Sequence, residues 1–416
     1  MLSCYRILDL TDDKAFICGR ALSDFGAEVI KIEKPGGDPA RRKGPFYHDD
    51  PDPEKNLTWF AFNANKKSVT LDIETQEGQE LFKKMVKKAD VVLESFAPGY
   101  LEDLGLGYKD LSKINPGIVL TSVTGFGQKG PYRSFKDPDI VVRALGGLVY
   151  TAGYEDRAPL TAGYEHTHMI GAMYAAVGTM IALSQRALTG EGQHVDASTQ
   201  QACVVVASAE IEGPYALFGR VLTRHGRARG SVTLKDGTIF YNPLLWECQD
   251  GDVAFNLLLN PTSVKANLAL MEGIKKDGID IKFLASWQWD KQGWRDMSPD
   301  QAKEVVNILA QFFKKHTKAE LLDMAIKNRF QLGPCNDAQD VLNHPQLNTR
   351  DYWKEIEHPE LGTSLKYPGR AVKLSEGYCG IRRRAPLIGE NNDEIYKQLL
   401  KIPANKLQAL KDNRII

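Results

Sequence analysis

The chain has 416 residues, of which 43% are hydrophobic and 25% are charged, a composition typical of soluble globular proteins of two or three domains. Lys and Arg together number 53, and so do Asp and Glu. The formal net charge of zero removes any overall electrostatic attraction to nucleic acid or to an acidic membrane, so we expect neither as a partner.

Cysteine usage and the first residues of the chain predict a reducing cytoplasm. The cysteines are widely spaced, at Cys4, Cys18, Cys203, Cys248, Cys335 and Cys379. They form no Cys-x-x-Cys pair, so the sequence indicates neither a zinc site nor a secreted disulfide framework. Arg6 and Asp9 interrupt the apolar stretch that an export signal requires, and we therefore expect a cytoplasmic protein.

The first part of the chain alternates short β-rich runs with helical stretches. The predicted strands are Arg6–Thr11, Glu28–Glu33, Ser68–Ile73, Val91–Glu94 and Ile118–Thr124. Between the third and fourth of these, residues 75–89 have the apolar periodicity of an amphipathic helix. This alternation predicts βαβ units, and hence a Rossmann-like α/β domain with a parallel sheet.

The rest of the chain predicts a second, smaller domain and a C-terminal return. Met169–Leu183 is apolar but has only 15 residues, which is short for a span of ~20, so we expect a buried helix. The amino-acid composition changes near residue 219, and strand-like runs follow at Thr238–Tyr241 and Val253–Leu258. We predict a large domain over residues 1–215, a small α+β domain over 220–330 and a C-terminal segment over 331–416 that rejoins the large domain.

Several common site motifs are missing from the sequence. No Gly-x-Gly-x-x-Gly follows the first predicted strand, which argues against a nicotinamide or flavin dehydrogenase. No Gly-x-Ser-x-Gly elbow is present, so a serine hydrolase has no local support. His166 and His168 lie beside Glu165 without a helical metal-binding pattern such as His-Glu-x-x-His, and we expect no metal.

Seven segments, taken together, resemble family III CoA-transferases, the formyl-CoA/carnitine-CoA transferase family. The segments are Leu22–Glu33, Asn63–Asp72, Gly125–Pro131, Thr189–Gln193, His344–Leu347, His358–Gly362 and Ala385–Glu390. The resemblance runs through nearly the whole chain. It implies that the C-terminal segment completes the Rossmann-like domain, that the small domain is inserted, and that the chain is ring-shaped and interlocked with a second chain.

The resemblance also implies a covalent mechanism. This chain differs from the family at the residue that carries out the mechanism. In the family an aspartate attacks the acyl-CoA thioester and becomes in turn a mixed anhydride and an aspartyl-CoA thioester. That aspartate ends a Gly-x-x-x-x-Asp stretch and precedes Thr-Gly-x-Gly-Gln by 21 residues; here both spacings lead to His168. Glu165, three residues away, is a displaced candidate, although a misplacement of ~1 Å can cost about 100-fold in rate.

The CoA site implied by the resemblance is partly retained. Its candidate contacts in this chain are Lys14, Lys66, Phe96 and Lys136. The usual Gly-Pro of the first loop is replaced by Phe16 and Ile17, the usual Arg of the Asn-Phe-Arg-Pro-Gly motif is Ala97, and Asp103 stands where an arginine is common. A carboxylate at that position opposes CoA phosphates.

The chain keeps the segments that carry the family resemblance but has other residues at the nucleophile position and at several CoA-binding positions. This combination suggests a non-catalytic subunit. The leading hypothesis is a heteromeric CoA-transferase in which a homologous subunit carries the aspartate and the two chains form an intertwined dimer or a higher heteromer. It would move CoA between succinyl-CoA and an organic acid such as an aryl-substituted succinate, with acyl-CoA as a substrate. The alternatives are a homodimeric transferase or racemase that uses His168 as a base, and a stand-alone acyl-CoA-binding protein.

Overall fold

A computed structural model describes residues 1–208, 212–219, 221, 224 and 226–416. The predicted start of the small domain, at residue 220, lies outside these residues. The strands are β1 Arg6–Leu10, β2 Glu28–Glu33, β3 Lys67–Thr70, β4 Val91–Glu94, β5 Val119–Thr124, β6 His194–Ser198, β7 Ala228–Thr233, β8 Ile239–Pro243, β9 Leu245–Cys248, β10 Gly251–Phe255, β11 Leu332–Pro334, β12 Trp353–His358 and β13 Thr363–Pro368.

The helices follow the same chain order. They are α1 Phe16–Asp24, α2 Leu57–Asn63, α3 Gln76–Val86, α4 Tyr100–Asp103, α5 Tyr108–Ile114, α6 Asp139–Leu145, α7 His166–Thr189, α8 Thr199–Ala207, α9 Glu212–Phe218, α10 Val264–Lys276, α11 Pro299–Phe313, α12 Lys318–Asn328, α13 Ala338–Leu342, α14 Pro345–Thr349 and α15 Ala404–Asp412. Short 3-10 turns and one π-helical turn, Glu394–Leu399, connect some of them.

A six-stranded parallel sheet lies at the centre of the first unit, in the order β3-β2-β1-β4-β5-β6. The predicted parallel α/β architecture is confirmed, and its five predicted strands agree with the observed ones to within a few residues. Strand β6 was not predicted, because its sequence, His194–Ser198, lacks the run of β-branched residues that marked the others.

Successive residues of a strand point to opposite sides of the sheet, and both sides are buried here. Leu8 packs on one face with Leu81 and Met85 from α3. Ile7 packs on the other face, against Ala172 and other alanines of α7. The small residues of α7 bring its backbone close to the sheet, and this contact fixes where the first turn of α7 lies.

The chain divides into two compact units. The first contains residues 1–149, 161–222 and 345–416, and the second contains residues 150–160 and 223–344. Residues 331–344 therefore belong to the second unit, whereas the sequence predicted them in the C-terminal segment. In the second unit, the antiparallel sheet β11-β10-β9 buries Trp246 and Phe255 against Phe313 of α11.

Helix α7 is longer and less buried than the sequence predicted. It spans 24 residues, and its outer face exposes the side chains of Met173, Tyr174, Val177 and Ile181 by 44 to 63%. In the described part of the chain it is the one helix that is long and apolar enough to cross a membrane, and half of its apolar window is buried. The sequence-based expectation of a fully buried helix was wrong for this face.

Candidate active site

The candidate site lies at the carboxyl edge of the parallel sheet, beside the point where the strand order reverses between β1 and β4. Open α/β sheets bind their ligands at such a point. Two loops meet there: the backbone N–H of Asp12, after β1, donates to Ser95 Oγ at 2.8 Å, and Ser95 Oγ lies 2.7 Å from Asp12 Oδ1. These bonds fix the first loop against the loop that follows β4.

His168 is held rigidly in the first turn of α7. The backbone N–H groups of Thr167 and His168, which have no partner within the helix, donate to Asp139 Oδ1 at 2.9 and 3.2 Å. Asp139 is fixed in turn by Arg143, whose Nη2 lies 2.7 Å from Asp139 Oδ2. The His168 side chain is buried, with 5% of the residue exposed.

The imidazole ring of His168 has one satisfied and one unsatisfied nitrogen. Its Nε2 lies 3.0 Å from the backbone carbonyl oxygen of Asp137. Because a carbonyl oxygen only accepts, Nε2 carries a proton in this contact. Nδ1 is buried and makes no hydrogen bond.

Asp137 connects three parts of the site and was missed by the sequence analysis. Its carbonyl oxygen contacts His168, and its side chain accepts from Lys14 Nζ at 3.2 Å and from the backbone N–H of Gly125 at 2.9 Å. A Cβ atom on Gly125 would lie 2.3 Å from the Cβ of Asp137, so only glycine allows this approach. Gly125 was noted as part of a motif, but nothing in the sequence indicated which side chain packs on it.

Lys14 lies between two carboxylates. Besides Asp137, its Nζ is 3.6 Å from Asp12 Oδ2. Burial lowers the pKa of Lys14, but the coulombic attraction of Asp12 and Asp137 outweighs this effect and raises the pKa above its ordinary value. Burial in turn raises the pKa of Asp12. The positive charge of Lys14 is therefore compensated by carboxylates of the same chain.

A cavity of about 300 Å³ connects Lys14 with His168 and Glu165. Its apolar wall includes Phe16, Ile17, Trp59, Phe62 and Met169. The rings of Phe16 and Trp59 meet edge to face with their centroids 5.4 Å apart. The two residues that replace Gly-Pro in the first loop, Phe16 and Ile17, thus form part of the wall of this pocket.

The pocket also contains Lys43, Asp13 and Glu165. Lys43 Nζ lies 2.5 Å from Asp13 Oδ2, and this hydrogen bond raises the pKa of Lys43. Glu165 precedes the first residue of α7 and is exposed to solvent. Glu165 and His168 therefore border one cavity, but only His168 is buried.

Lys66 is separated from the pocket by burial. Its Nζ donates to Asp9 Oδ2 at 2.7 Å and to the carbonyl oxygen of Phe16 at 2.9 Å, and both charged side chains are fully buried. Burial raises the pKa of Asp9, but Lys66 and Lys31 outweigh it and hold that pKa below its ordinary value. The predicted contact between Lys66 and CoA thus involves an ammonium group that is already engaged inside the fold.

Phe96 and Lys136 lie at a neighbouring cavity of about 210 Å³, which also includes Lys14 and Asp137. The ring of Phe96 lies 4.5 Å from that of Tyr100, centroid to centroid. The structure therefore brings three predicted contacts together, Lys14, Phe96 and Lys136. Asp103 closes the short helix α4 and is exposed.

Metal ligation was not expected from the sequence. Within the described ranges, no group of three or more His, Cys, Asp or Glu side chains is arranged to hold a metal ion. His166 is exposed, whereas His168 is buried.

Comparison with known proteins defines the class of the chain. The family model for CoA-transferase family III matches residues 2–392. The chain therefore belongs to CoA-transferase family III, as the sequence motifs predicted, and its homologues have named CoA-transferase activities.

Particular relatives extend over almost the whole chain. Subunit BbsE of succinyl-CoA:(R)-benzylsuccinate CoA-transferase from Thauera aromatica is 31% identical over 94% of this chain and 93% of its own length. The beta subunit of succinyl-CoA–L-malate CoA-transferase from Chloroflexus aurantiacus is 32% identical over 100% of this chain and 98% of its own. A CAIB/BAIF family protein from Brucella suis has a similar crystal structure, with a TM-score of 0.79 and 26% identity over 96% of this chain and 99% of its own.

Proposed function

We propose that this chain is the non-catalytic subunit of a cytoplasmic, heteromeric family III CoA-transferase. The observation that carries the proposal is the histidine at position 168, where the family pattern has its nucleophilic aspartate. Catalysis then belongs to a homologous partner subunit that supplies the carboxylate.

The chemistry of the reaction explains why histidine cannot replace aspartate. A carboxylate oxygen attacks the thioester carbonyl, the C–S bond breaks, and CoA leaves as a thiolate. The thiolate then attacks the aspartyl carbonyl of the resulting anhydride, its C–O bond breaks, and the donor acid leaves as a carboxylate while the aspartyl-CoA thioester forms. An imidazole cannot form a carboxylic anhydride. In addition, Nε2 of His168 carries a proton that it donates to the carbonyl of Asp137, so this nitrogen has no lone pair for attack.

The carboxylates near His168 are unsuited to replace the missing group. Asp139 is bound to Arg143 and to two backbone N–H groups. Asp137 is bound to Lys14 and to Gly125 N–H. Glu165 is exposed at the rim, so water solvates the charge that a nucleophile must present to the thioester.

A partner subunit is supported by an apolar surface on the first unit. Helices α6, α7 and α8 pack against one another, and their outward side chains are apolar. The exposed residues are Ile140, Val141, Leu145, Met173, Tyr174, Val177, Ile181, Val205 and Val206. Large exposed apolar patches mark interaction sites, and the two curated relatives named above, BbsE and the malate CoA-transferase beta subunit, are subunits by name. We assign this surface to the interlocked partner chain.

The names of the relatives support the substrates that we propose for the complex. Succinyl-CoA is in the names of the benzylsuccinate, malate and citramalate enzymes, and their other named substrates are organic acids. We therefore assign succinyl-CoA as CoA donor and an organic acid as acceptor, with an aryl-substituted succinate as the first acid to test.

The alternative that His168 acts as a base has one observation in its favour, the buried Nδ1 without a hydrogen-bond partner. A homodimeric transferase or racemase of this kind would be active without a second gene product. The two proposals therefore differ in a measurement on the chain alone.

The deciding experiment compares the chain alone with the chain co-expressed with a homologue that has aspartate at the position of His168. We expect no CoA transfer from succinyl-CoA to benzylsuccinate, malate or citramalate by the chain alone, and transfer by the co-purified complex. His168→Gln should leave the activity of the complex within a few-fold. Transfer or racemisation by the isolated chain that disappears in His168→Gln would favour the base mechanism and overturn the subunit assignment.

A further inference from the structure

The cations that line the pocket beside His168 are already neutralised by the chain. Lys43 is paired with Asp13 at 2.5 Å, and Lys14 is paired with Asp137 at 3.2 Å. Glu165 adds a further carboxylate at the rim. An anionic ligand that enters this pocket therefore meets no free ammonium group among Lys14 and Lys43.

The charged side chains of the pocket lining are equal in number. Lys14 and Lys43 are its lysines, and Asp13 and Glu165 are its carboxylates. Asp12 and Asp137 lie directly against Lys14 as well. The lining therefore has no excess of positive charge that would attract an anion.

The remaining surface of the pocket suits an uncharged group. Its wall carries the aromatic rings of Phe16, Trp59 and Phe62 and the thioether of Met169. Among the residues that line this pocket, His168 has a buried nitrogen, Nδ1, that makes no hydrogen bond. Apolar walls with few polar groups are typical of pockets for small organic molecules.

We propose that this pocket binds a neutral, partly apolar ligand group, such as an amide or alcohol on an aromatic or alkyl body, and that Asp137 excludes carboxylates by holding Lys14. Asp137 is then a positioning residue that acts through Lys14: it lines the neighbouring cavity, and its carboxylate takes the ammonium group that the carboxylate of a ligand would otherwise pair with. The inference deepens the proposed function, because it concerns the same pocket, and it explains how a non-catalytic subunit keeps the acid substrate out.

Asp137→Asn tests this role with little disturbance of the fold. The asparagine Oδ1 can still accept from Gly125 N–H, and the backbone carbonyl that contacts His168 is unchanged. The charge of Asp137 on Lys14 is removed, whereas the more distant carboxylate of Asp12, 3.6 Å from Lys14 Nζ, stays in place. The matched control is Asp393→Asn. It removes a carboxylate from an exposed ion pair, in which Lys397 Nζ lies 2.8 Å from Asp393 Oδ2.

The probes are 3-phenylpropanamide and 3-phenylpropanoate, which have the same shape and differ in charge. Binding of each to the full-length chain is measured by ligand-detected NMR and calorimetry. We expect the wild type and Asp393→Asn to bind the amide at least tenfold more tightly than the carboxylate. In Asp137→Asn the carboxylate should gain at least tenfold while binding of the amide changes less than threefold.

Two results would overturn the inference: a wild-type chain that binds the carboxylate as tightly as the amide, or no change of the ratio in Asp137→Asn when its thermal unfolding matches the wild type. Neither result depends on a partner subunit. Failure of the proposed function would appear elsewhere, as CoA transfer by the isolated chain, so the two failures are distinguishable.

Discussion

Lys66 and Lys14, both predicted from the family resemblance to contact CoA, lie in opposite surroundings. Lys66 is sealed in the fold against Asp9, with both side chains fully buried. Lys14 lies at the edge of a pocket against Asp12 and Asp137, with 25% of its side chain exposed. A family motif therefore identifies a lysine, whereas burial decides whether its ammonium group is enclosed in the fold or borders a cavity.

Loss of the buried lysine should have the largest effect on stability. Lys66→Met removes the ammonium group that is paired with the buried Asp9 carboxylate, so we expect the free energy of unfolding to fall by about 3–5 kcal/mol. Urea unfolding followed by circular dichroism measures this change. Adding Asp9→Asn to Lys66→Met should recover a large part of the loss, and equal stability of wild type and Lys66→Met would contradict the assigned role.

A buried carboxyl group without a paired lysine provides the contrasting case. Glu94 is 5% exposed and accepts from the backbone N–H of Phe96 at 2.7 Å. Burial raises its pKa from the ordinary 4.5 to about 7. The folded chain then holds this proton more tightly than the unfolded chain does, and the stability due to Glu94 is lost as the pH rises from about 4.5 to about 7.

Glu94→Gln should remove this pH dependence. Between pH 5 and pH 8 we expect the wild type to lose about 2–3 kcal/mol more stability than the variant. Urea unfolding of both proteins at the two pH values measures the difference. Parallel pH profiles for the two proteins would show that Glu94 is ionised in the fold like an ordinary carboxylate.

Loss of the pocket lysine should have the smallest effect on stability. In Lys14→Gln, Asp12 and Asp137 are partly exposed and can be solvated, so we expect a change of about 1 kcal/mol or less. Thermal unfolding measures the stability, and binding of 3-phenylpropanoate should stay as weak as in the wild type because no cation is released. A loss as large as that of Lys66→Met would erase the distinction between the two lysines.

The sheet was predictable because its strands are short apolar runs separated by helical periodicity. The same reasoning missed β6, whose residues His194 and Asp196 interrupt such a run. It also took α7 as wholly buried, since composition does not tell which side of a helix meets the sheet. Only the packing of α7 on β5 and β6 separates its alanine face from its exposed face.

The site was predictable where a motif fixes a position and not where the fold brings loops together. Spacing from Thr189, compared with the family pattern, predicts His168 at the nucleophile position, and the structure places His168 in the wall of the cavity. Asp137 had no such signal: it lies 12 residues after Gly125 and 123 after Lys14 in sequence, and contacts both. Asp137 reaches these residues because its loop folds back against the loop after β1. No local sequence pattern predicts that contact.

The exposed face of α7 also bears on how the cell must produce this chain. A newly made copy presents Met173, Val177 and Ile181 to solvent until something covers them. Chaperones and proteases recognise apolar surfaces of that kind, and a continuous apolar patch promotes aggregation. Under the proposed subunit assignment, the supply of the partner would limit the amount of intact chain in the cell, and synthesis in excess of that supply would lead to degradation or inclusion bodies.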